Sequence, residues 1–226
     1  MKVALLLTGF IRQHTNCKNS ILNHIVNKYN ADIYFSTWNK TQSYVNTNLI
    51  DIKYQDLLEY YPNNTKGFLV LDYDNYIRNK RTIKFQERKD DIFLRNHRAK
   101  EHGTFWVERL RDQWYVVQQG FLTIPDIYDI IIRVRLDIKL YNFNIQSNSF
   151  TIPKSHPNNP YNDHLAYGSI TEMRKYCFLY DNIEKMYIED NVDISFAELM
   201  LQHYMENTLP TIKTNIDSTI IYEILK

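Results

Sequence analysis

Residues 128–138 read Tyr128-Asp129-Ile130-Ile131-Ile132-Arg133-Val134-Arg135-Leu136-Asp137-Ile138. The run is rich in isoleucine and valine, which predicts a buried β-strand over the whole stretch. Side chains alternate between the two faces of a strand, so Arg133, Arg135 and Asp137 should share one face. Charges on a buried strand are costly unless they meet partners. The pattern predicts either a polar cleft for an anion and a metal ion, or an internal Arg–Asp pair that only supports the fold.

The composition limits the classes of function that fit the chain. Its 226 residues suit one domain, residues 1–226, and a hydrophobic content of 44% is enough for a core. The net charge is +1, and no basic block with interleaved aromatic residues indicates nucleic-acid binding. No apolar stretch approaches the roughly 20 residues that a membrane-spanning helix needs. We therefore expect a soluble protein with no nucleic-acid partner and no membrane span.

The cysteines and the N-terminal residues bear on the compartment. Cys17 and Cys177 are the only cysteines, and no Cys/His cluster has the spacing of a zinc site. Two buried free thiols in a reducing compartment are the simplest interpretation. The apolar run Val3–Leu7 is too short for a signal peptide and lacks a cleavage site of small residues. These features predict a cytoplasmic protein.

The N-terminal segment has the order strand, helix, strand. Residues 2–7 predict a strand that ends at Thr8-Gly9, residues 16–29 a helix capped by Thr15, and residues 31–36 a second strand. This order is typical of a parallel βαβ unit, whose ligand crevice lies beyond the carboxyl ends of the strands. Trp38 should therefore lie near Thr8 and Gly9. The segment contains neither a G-x-G-x-x-G motif nor a P-loop, so it does not predict a dinucleotide fold or an NTPase.

The middle of the chain contains a long helix and a second acidic motif, which is an alternative to the metal site at the central strand. A strand over 67–71 is followed by Asp72-Tyr73-Asp74. We favour the interpretation of these three as turn residues over that of a metal site. Residues 75–102 predict a charged, irregular loop. Residues 104–119 predict a helix ended by Gly120, from which Arg109, Gln113 and Gln118 would project toward the crevice.

Further predicted elements complete an α/β pattern with a mixed, mostly parallel, Rossmann-like sheet flanked by helices. The sequence Ser169-x-x-Glu172 matches a capping box that opens a helix to about Leu179. The other predictions are a helix at 54–61, strands at 150–152 and 165–168, a helix at 195–207, and extended segments at 211–213 and 218–224.

Four stretches together resemble small GT-A-type glycosyltransferases of large DNA viruses and bacterial polysaccharide loci. They are residues 5–12 (LLLTGFIR), 32–38 (DIYFSTW), 128–137 (YDIIIRVRLD) and 162–168 (NDHLAYG), with Met173 and Tyr176 after them. They occur in the order typical of that group and extend over most of the chain. The resemblance implies a GT-A-like fold and, for a viral protein, a location in the host cytoplasm.

The resemblance also implies substrates and cofactors. The donor would be a nucleoside diphosphate sugar, with a UDP-sugar as first candidate, the acceptor a glycan or another hydroxyl compound, and the transferred group a hexose or a pentose. Mn²⁺ or Mg²⁺ would assist. The usual metal motif is Asp-x-Asp, but here it reads Arg135-Leu136-Asp137, so Asp137 is the predicted metal ligand and arginine can take over part of the ion's role. Residues predicted to bind the donor are Thr8, Gly9, Phe10, Arg12, Trp38, Gln113, Arg133 and Arg135.

The catalytic candidates are carboxylates, because glycosyl transfer needs a base near the acceptor hydroxyl. Asp163 is the first candidate and Glu198 the second; the alternatives are a turn Asp and a solvent-exposed helical Glu. Two other functions remain open. One is a nucleotide-sugar binding protein that has lost catalysis, and the other is a nucleotidyltransferase or phosphotransferase, against which the absent Gly-rich phosphate loop argues.

Overall fold

The computed structural model describes residues 1–41, 50–52, 64–80, 104–154, 161–190, 192 and 196–225, with the side chains of 104–107 excepted. The predicted helix at 54–61 and residues 81–102 of the predicted charged loop lie outside these ranges.

The described strands and helices alternate along most of the chain. The strands are β1 Val3–Thr8, β2 Asp32–Trp38, β3 Lys40–Thr41, β4 Ile50–Asp51, β5 Thr65–Leu71, β6 Ile130–Arg135, β7 Ile138–Asn142, β8 Thr151–Pro153, β9 Leu165–Gly168, β10 Asn215–Asp217 and β11 Ile221–Ile224. The α-helices are α1 His14–Ile21, α2 Asn27–Tyr29, α3 Tyr73–Asn79, α4 Thr104–Phe121, α5 Ile170–Cys177, α6 Ile183–Ile188 and α7 Ala197–His203. A π-helical segment, Leu22–Val26, joins α1 to α2, another, Tyr204–Thr208, follows α7, and a 3₁₀ segment, Phe178–Asn182, precedes α6.

Within the described residues, seven strands form one sheet in the order β10-β8-β9-β6-β1-β2-β5. Strands β6, β1, β2 and β5 pair in parallel, as do β10 and β8, whereas β9 runs antiparallel to both β6 and β8. The β1–α1–β2 segment is the predicted parallel unit. The predicted α/β class, with a mostly parallel sheet flanked by helices, is confirmed.

Both faces of the sheet are covered, which explains why its central strands are apolar on both sides. Leu5, Leu7 and Ile132 pack with Cys17 and Ile21 on the side of α1. On the opposite face, the core consists of other strand residues together with side chains from α4 and α5, among them Ala4, Leu6, Ile131, Trp114, Val117 and Met173. Cys17 and Cys177 are buried free thiols, as predicted. None of the described helices is both long and apolar enough to cross a membrane.

The sequence predicted that Gly120 ends the long helix. In the structure, α4 continues to Phe121. A Cβ on Gly120 would lie 2.5 Å from Ser36 Cβ and 2.9 Å from a Leu6 methyl carbon. Glycine is thus required for close packing of α4 on β1 and β2, and the tertiary contact takes precedence over the helix-ending tendency of the residue.

Several predicted boundaries were wrong for local reasons. The central strand ends at Arg135, so Asp137 lies in the turn to β7 rather than on the strand. Helix α1 begins at His14, so Thr15 is not its cap. Residues 73–79, predicted as the end of a turn and the start of a loop, form α3, because the Asp72 side chain accepts a hydrogen bond from the Asn75 amide and caps the helix. The capping box of Ser169 and Glu172 is confirmed.

Candidate active site

A cavity of about 420 Å³ opens at the carboxyl ends of β1, β2 and β6. This is the edge at which parallel α/β sheets bind ligands. All predicted site residues except Arg133 line this cavity, namely Thr8, Gly9, Phe10, Arg12, Trp38, Gln113, Arg135, Asp137, Asp163 and Glu198. Arg109 also lines it, as expected, whereas Gln118 donates a hydrogen bond to Asp181 at 2.7 Å instead. Residues far apart in sequence thus meet in one pocket.

The turn after β1 depends on Gly9. Its φ of 113° lies in a region that residues with a side chain rarely adopt. The Gly9 amide donates to the Ser36 carbonyl at 3.2 Å, and the Thr37 hydroxyl donates to the Gly9 carbonyl at 2.8 Å. These bonds hold the turn against the end of β2. Apart from the two residues next to Gly9 in the chain, no atom of the described residues lies within 4 Å of the position that a Gly9 Cβ would occupy, so the backbone faces open space there.

Asp137 and two arginines form a charged group beside this turn. Arg135 donates from Nε to Asp137 Oδ1 at 3.1 Å and from Nη2 to Oδ2 at 2.7 Å, and Arg12 Nη1 lies 3.9 Å from Oδ2. The Leu136 amide donates to the Thr8 carbonyl at 3.2 Å, so the turn that carries Asp137 is tied to the end of β1. The Arg–Asp pair and the polar cleft, posed as alternatives, therefore coexist: the pair forms part of the pocket wall.

The residues present fit a divalent cation poorly. Both oxygens of Asp137 already accept hydrogen bonds from Arg135. Among the described residues, no group of three or more His, Cys, Asp or Glu side chains is placed to hold a metal ion. A cation beside two guanidinium groups would also be repelled. The Mn²⁺ or Mg²⁺ ion implied by the resemblance stays a prediction, with Asp137 as its one predicted protein ligand.

Arg133 lies beneath the pocket rather than in its lining, because its side chain is fully buried. Its Nε donates to the Thr8 hydroxyl at 3.0 Å, its Nη1 donates to the Asp163 carbonyl, and its guanidinium lies 5.8 Å from the centre of the Trp114 ring. This placement does not support the predicted contact between Arg133 and a nucleotide. Arg133 instead joins the turn after β1 to the segment that carries Asp163.

Asp163 is buried in the pocket wall and accepts a hydrogen bond from Gln113 Nε2 at 2.6 Å. Its other oxygen lies 3.3 Å from His164 Nε2. Burial alone would raise the pKa of Asp163, but the charges of Arg135 and Arg133, the Gln113 hydrogen bond and, in acid where its ring is protonated, His164 outweigh it and hold the pKa below its usual value. Asp163 is therefore an ionised acceptor at neutral pH.

Glu198 approaches the same cavity from the first turn of α7. Its side chain is half-buried, so the interpretation of a solvent-exposed helical Glu is replaced by one in which it belongs to the pocket wall. Asp163 and Glu198, the two predicted catalytic carboxylates, thus line one cavity with Arg12, Arg109 and Arg135.

His164 is a pocket residue that the sequence analysis missed. Its Nδ1 lies 2.9 Å from the Tyr222 hydroxyl. Burial is the main cause that lowers the pKa of His164 to about 4, so the ring is neutral at pH 7. Its position directly after Asp163 was the only signal in the sequence, because Tyr222 belongs to β11 and is distant along the chain.

A second cavity, of about 330 Å³, shares the Trp38 side chain with the first. Tyr76, Tyr115 and Tyr180 line it together with amide and carboxylate side chains, and Trp38 stacks on Tyr115 at 5.9 Å between ring centres. Lys80 also reaches it, but its ammonium group lies 2.5 Å from Glu108 and 3.1 Å from Asp112. This cavity is thus lined largely by aromatic rings, and the ammonium group of Lys80 is already paired with carboxylates.

Comparisons with known proteins give little beyond this geometry. No family model matches the chain, and no curated protein does. A glycosyltransferase involved in the glycosylation of the major capsid of PBCV-1 is among the solved structures that match. It shares 7% identity at a TM-score of 0.42, over 96% of this chain and 83% of that one. A likeness this low carries no functional conclusion, which must come from the site.

Proposed function

We propose that this protein is a glycosyltransferase that moves a hexose or a pentose from a nucleoside diphosphate sugar, with UDP-sugars as first candidates, to a hydroxyl acceptor such as a glycan. One observation carries the proposal. A single cavity at the carboxyl ends of β1, β2 and β6 brings together a glycine turn, three arginines and the carboxylates Asp163 and Glu198. These are the groups that binding a diphosphate and deprotonating an alcohol require.

The arginines would hold the leaving diphosphate. Arg12, Arg109 and Arg135 line the cavity, and a guanidinium group matches two phosphate oxygens at once. Asp137 fixes the orientation of Arg135 through two hydrogen bonds, so the guanidinium would need little rearrangement when the ligand arrives. Pre-oriented cations stabilise the negative charge that develops on a leaving diphosphate.

The nucleoside would lie beside Tyr76, Tyr115 and Tyr180 in the second cavity, which shares the lining residue Trp38 with the first. Aromatic rings offer stacking surfaces to a base, and the amide groups of Asn75 and Asn79 offer hydrogen bonds to its edge. The open space at Gly9 would let the chain between base and phosphates pass close to the backbone.

Asp163 would accept the proton of the acceptor hydroxyl. Its lowered pKa keeps it ionised at neutral pH, and Gln113 holds one of its oxygens in place. Such a base contributes about 10²–10⁴-fold to a rate. Glu198, which lines the same cavity, is the second candidate for this role.

The test is a donor panel of UDP-, GDP- and dTDP-sugars, followed by release of the nucleoside diphosphate with and without sugar acceptors. Asp163→Asn should lower kcat by about 10²-fold or more with the fold intact. Asp190→Asn is the matched control, because Asp190 also faces a histidine, His203 at 3.1 Å, but does not line the cavity. Tight binding without turnover would favour a nucleotide-sugar binding protein, and no binding to any donor would overturn the proposal.

A further inference from the structure

The residue beside the proposed base has a defined place in a hydrogen-bonded chain. We propose that His164, held by Tyr222 and Asn162, is a positioning residue that directs the Asp163 carboxylate into the cavity. The inference rests on the proposed function, since it assigns a partner to the base of that reaction.

The contacts fix the tautomer of His164. Its Nε2 faces the carboxylate of Asp163 at 3.3 Å, and an ionised carboxylate only accepts hydrogen bonds. The proton therefore belongs on Nε2. Nδ1 then accepts a hydrogen bond from the Tyr222 hydroxyl, 2.9 Å away, and the Tyr222 oxygen accepts one from Asn162 Nδ2. The Tyr222 hydroxyl and the Asn162 amide thus each meet an acceptor with the ring neutral, and Nε2 lies next to the Asp163 carboxylate.

The backbone around His164 is held equally firmly. The His164 amide donates to Asn162 Oδ1 at 2.8 Å, and the Arg135 amide donates to the His164 carbonyl at 3.0 Å. Arg133 donates to the carbonyl of Asp163 from below. The segment that carries Asp163 is therefore fastened to the end of the central strand, and the carboxylate itself lies between Gln113 on one oxygen and the imidazole on the other.

The charges around the ring explain why it orients Asp163 without adding charge. Burial lowers the pKa of His164 most, Arg135 and Arg133 lower it further, and Asp163 and Asp137 oppose them. Tyr222 is half-buried, and this partial burial is the main cause that raises its pKa to about 12 and keeps its hydroxyl protonated as a donor. The neutral ring contributes a directed N–H rather than a positive charge.

The role predicts a distinctive kinetic result. His164→Ala should lower kcat about tenfold, less than the loss of the base itself, and leave KM for the donor within about twofold. His164→Gln should recover most of the loss, because the Gln amide can present an N–H near the position of Nε2. The acidic limb of the kcat/KM profile should move to higher pH in His164→Ala, because Asp163 loses a donor that favours its ionised form.

A measurement on the free protein separates this inference from the proposed function. In ¹⁵N NMR of the unliganded protein, the His164 ring should carry its proton on Nε2 at pH 7, and Tyr222→Phe should perturb the Nδ1 resonance. If the proton is on Nε2 but the wild-type protein shows no turnover, the proposed function is wrong, whereas the contact between His164 and Asp163 is still supported. A proton on Nδ1, or an unchanged kcat in His164→Ala, would overturn the positioning role.

The chain provides a matched control in the pair of His203 and Asp190, which lies outside the cavity. His203→Ala should change neither kcat nor the pH profile. Thermal unfolding of each variant verifies the fold. If His203→Ala reproduced the effect of His164→Ala, the effect would be one of general stability and the proposal would fail.

Discussion

Replacing Arg133 by Met tests whether this buried arginine joins the turn after β1 to the segment of Asp163. The substitution removes a hydrogen bond to the Thr8 hydroxyl at 3.0 Å and one to the Asp163 carbonyl. Methionine fills much of the same space, so the cavity term should be small. It also removes a buried charge, which offsets part of the loss.

The magnitude follows from what the change leaves behind. A buried carbonyl without its donor costs about 1–3 kcal/mol, and the Thr8 hydroxyl can find another partner. We expect the free energy of unfolding to fall by about 2 kcal/mol, a decrease in Tm of roughly 4–8 °C for a chain of this size. Denaturant unfolding followed by circular dichroism measures the change. Catalysis should suffer in addition, because Asp163 loses its backbone anchor.

Arg174→Met is the matched control. Arg174 forms an ion pair with Asp126 at 2.6 Å, but the side chains are 52% and 64% exposed. A pair of this kind contributes little, so stability should change by less than about 0.5 kcal/mol. If Arg133→Met were as stable as the control, or activity were untouched, Arg133 would not link the two segments as argued.

Further predictions concern the glycine turn, acid and metal removal. Gly9→Ala should cost about 1–3 kcal/mol of unfolding free energy, because its φ of 113° is strained for alanine, and it should weaken nucleotide binding measured by calorimetry. Asp163 has a lowered folded-state pKa, so its contribution to stability is present above its unfolded pKa of about 3.9 and lost as pH falls through the folded value. The stability gap between wild type and Asp163→Asn, measured by denaturant unfolding from pH 7 to pH 3, should therefore shrink below about pH 4; a constant gap would contradict this. Because Arg135 occupies both oxygens of Asp137, EDTA should change the calorimetric Kd for a nucleoside diphosphate by less than about threefold. A tenfold loss restored by Mn²⁺ would instead establish the metal site.

Much of the fold followed from the sequence because its signals are local. Alternation of β-branched residues, the capping box at Ser169 and the strand–helix–strand order each depend on residues within a few positions of one another. They predicted the α/β class and placed Thr8 and Trp38 at strand ends. The parallel pairing of β1 with β2 and β6 then brings those ends to one edge.

The end of α4 depends on partners elsewhere in the chain, whereas the start of α3 depends on a local cap. Gly120 continues a helix because Ser36 and Leu6 leave no room for a side chain, which the helix sequence alone cannot reveal. Asp72 caps α3 and does not form an acidic pair with Asp74. The Asp-x-Asp pattern of residues 72–74 drew attention away from this capping role.

The sequence by itself determined which residue types reach the pocket, because strand periodicity and parallel order fix where strand ends meet. Only the tertiary structure decided their roles. It placed Arg133 under the wall and set His164 between Asp163 and Tyr222. Those contacts join residues up to 125 positions apart, as with Arg133 and Thr8. They depend on the distances and burial that arise when separate elements pack, and no pattern within one element records them.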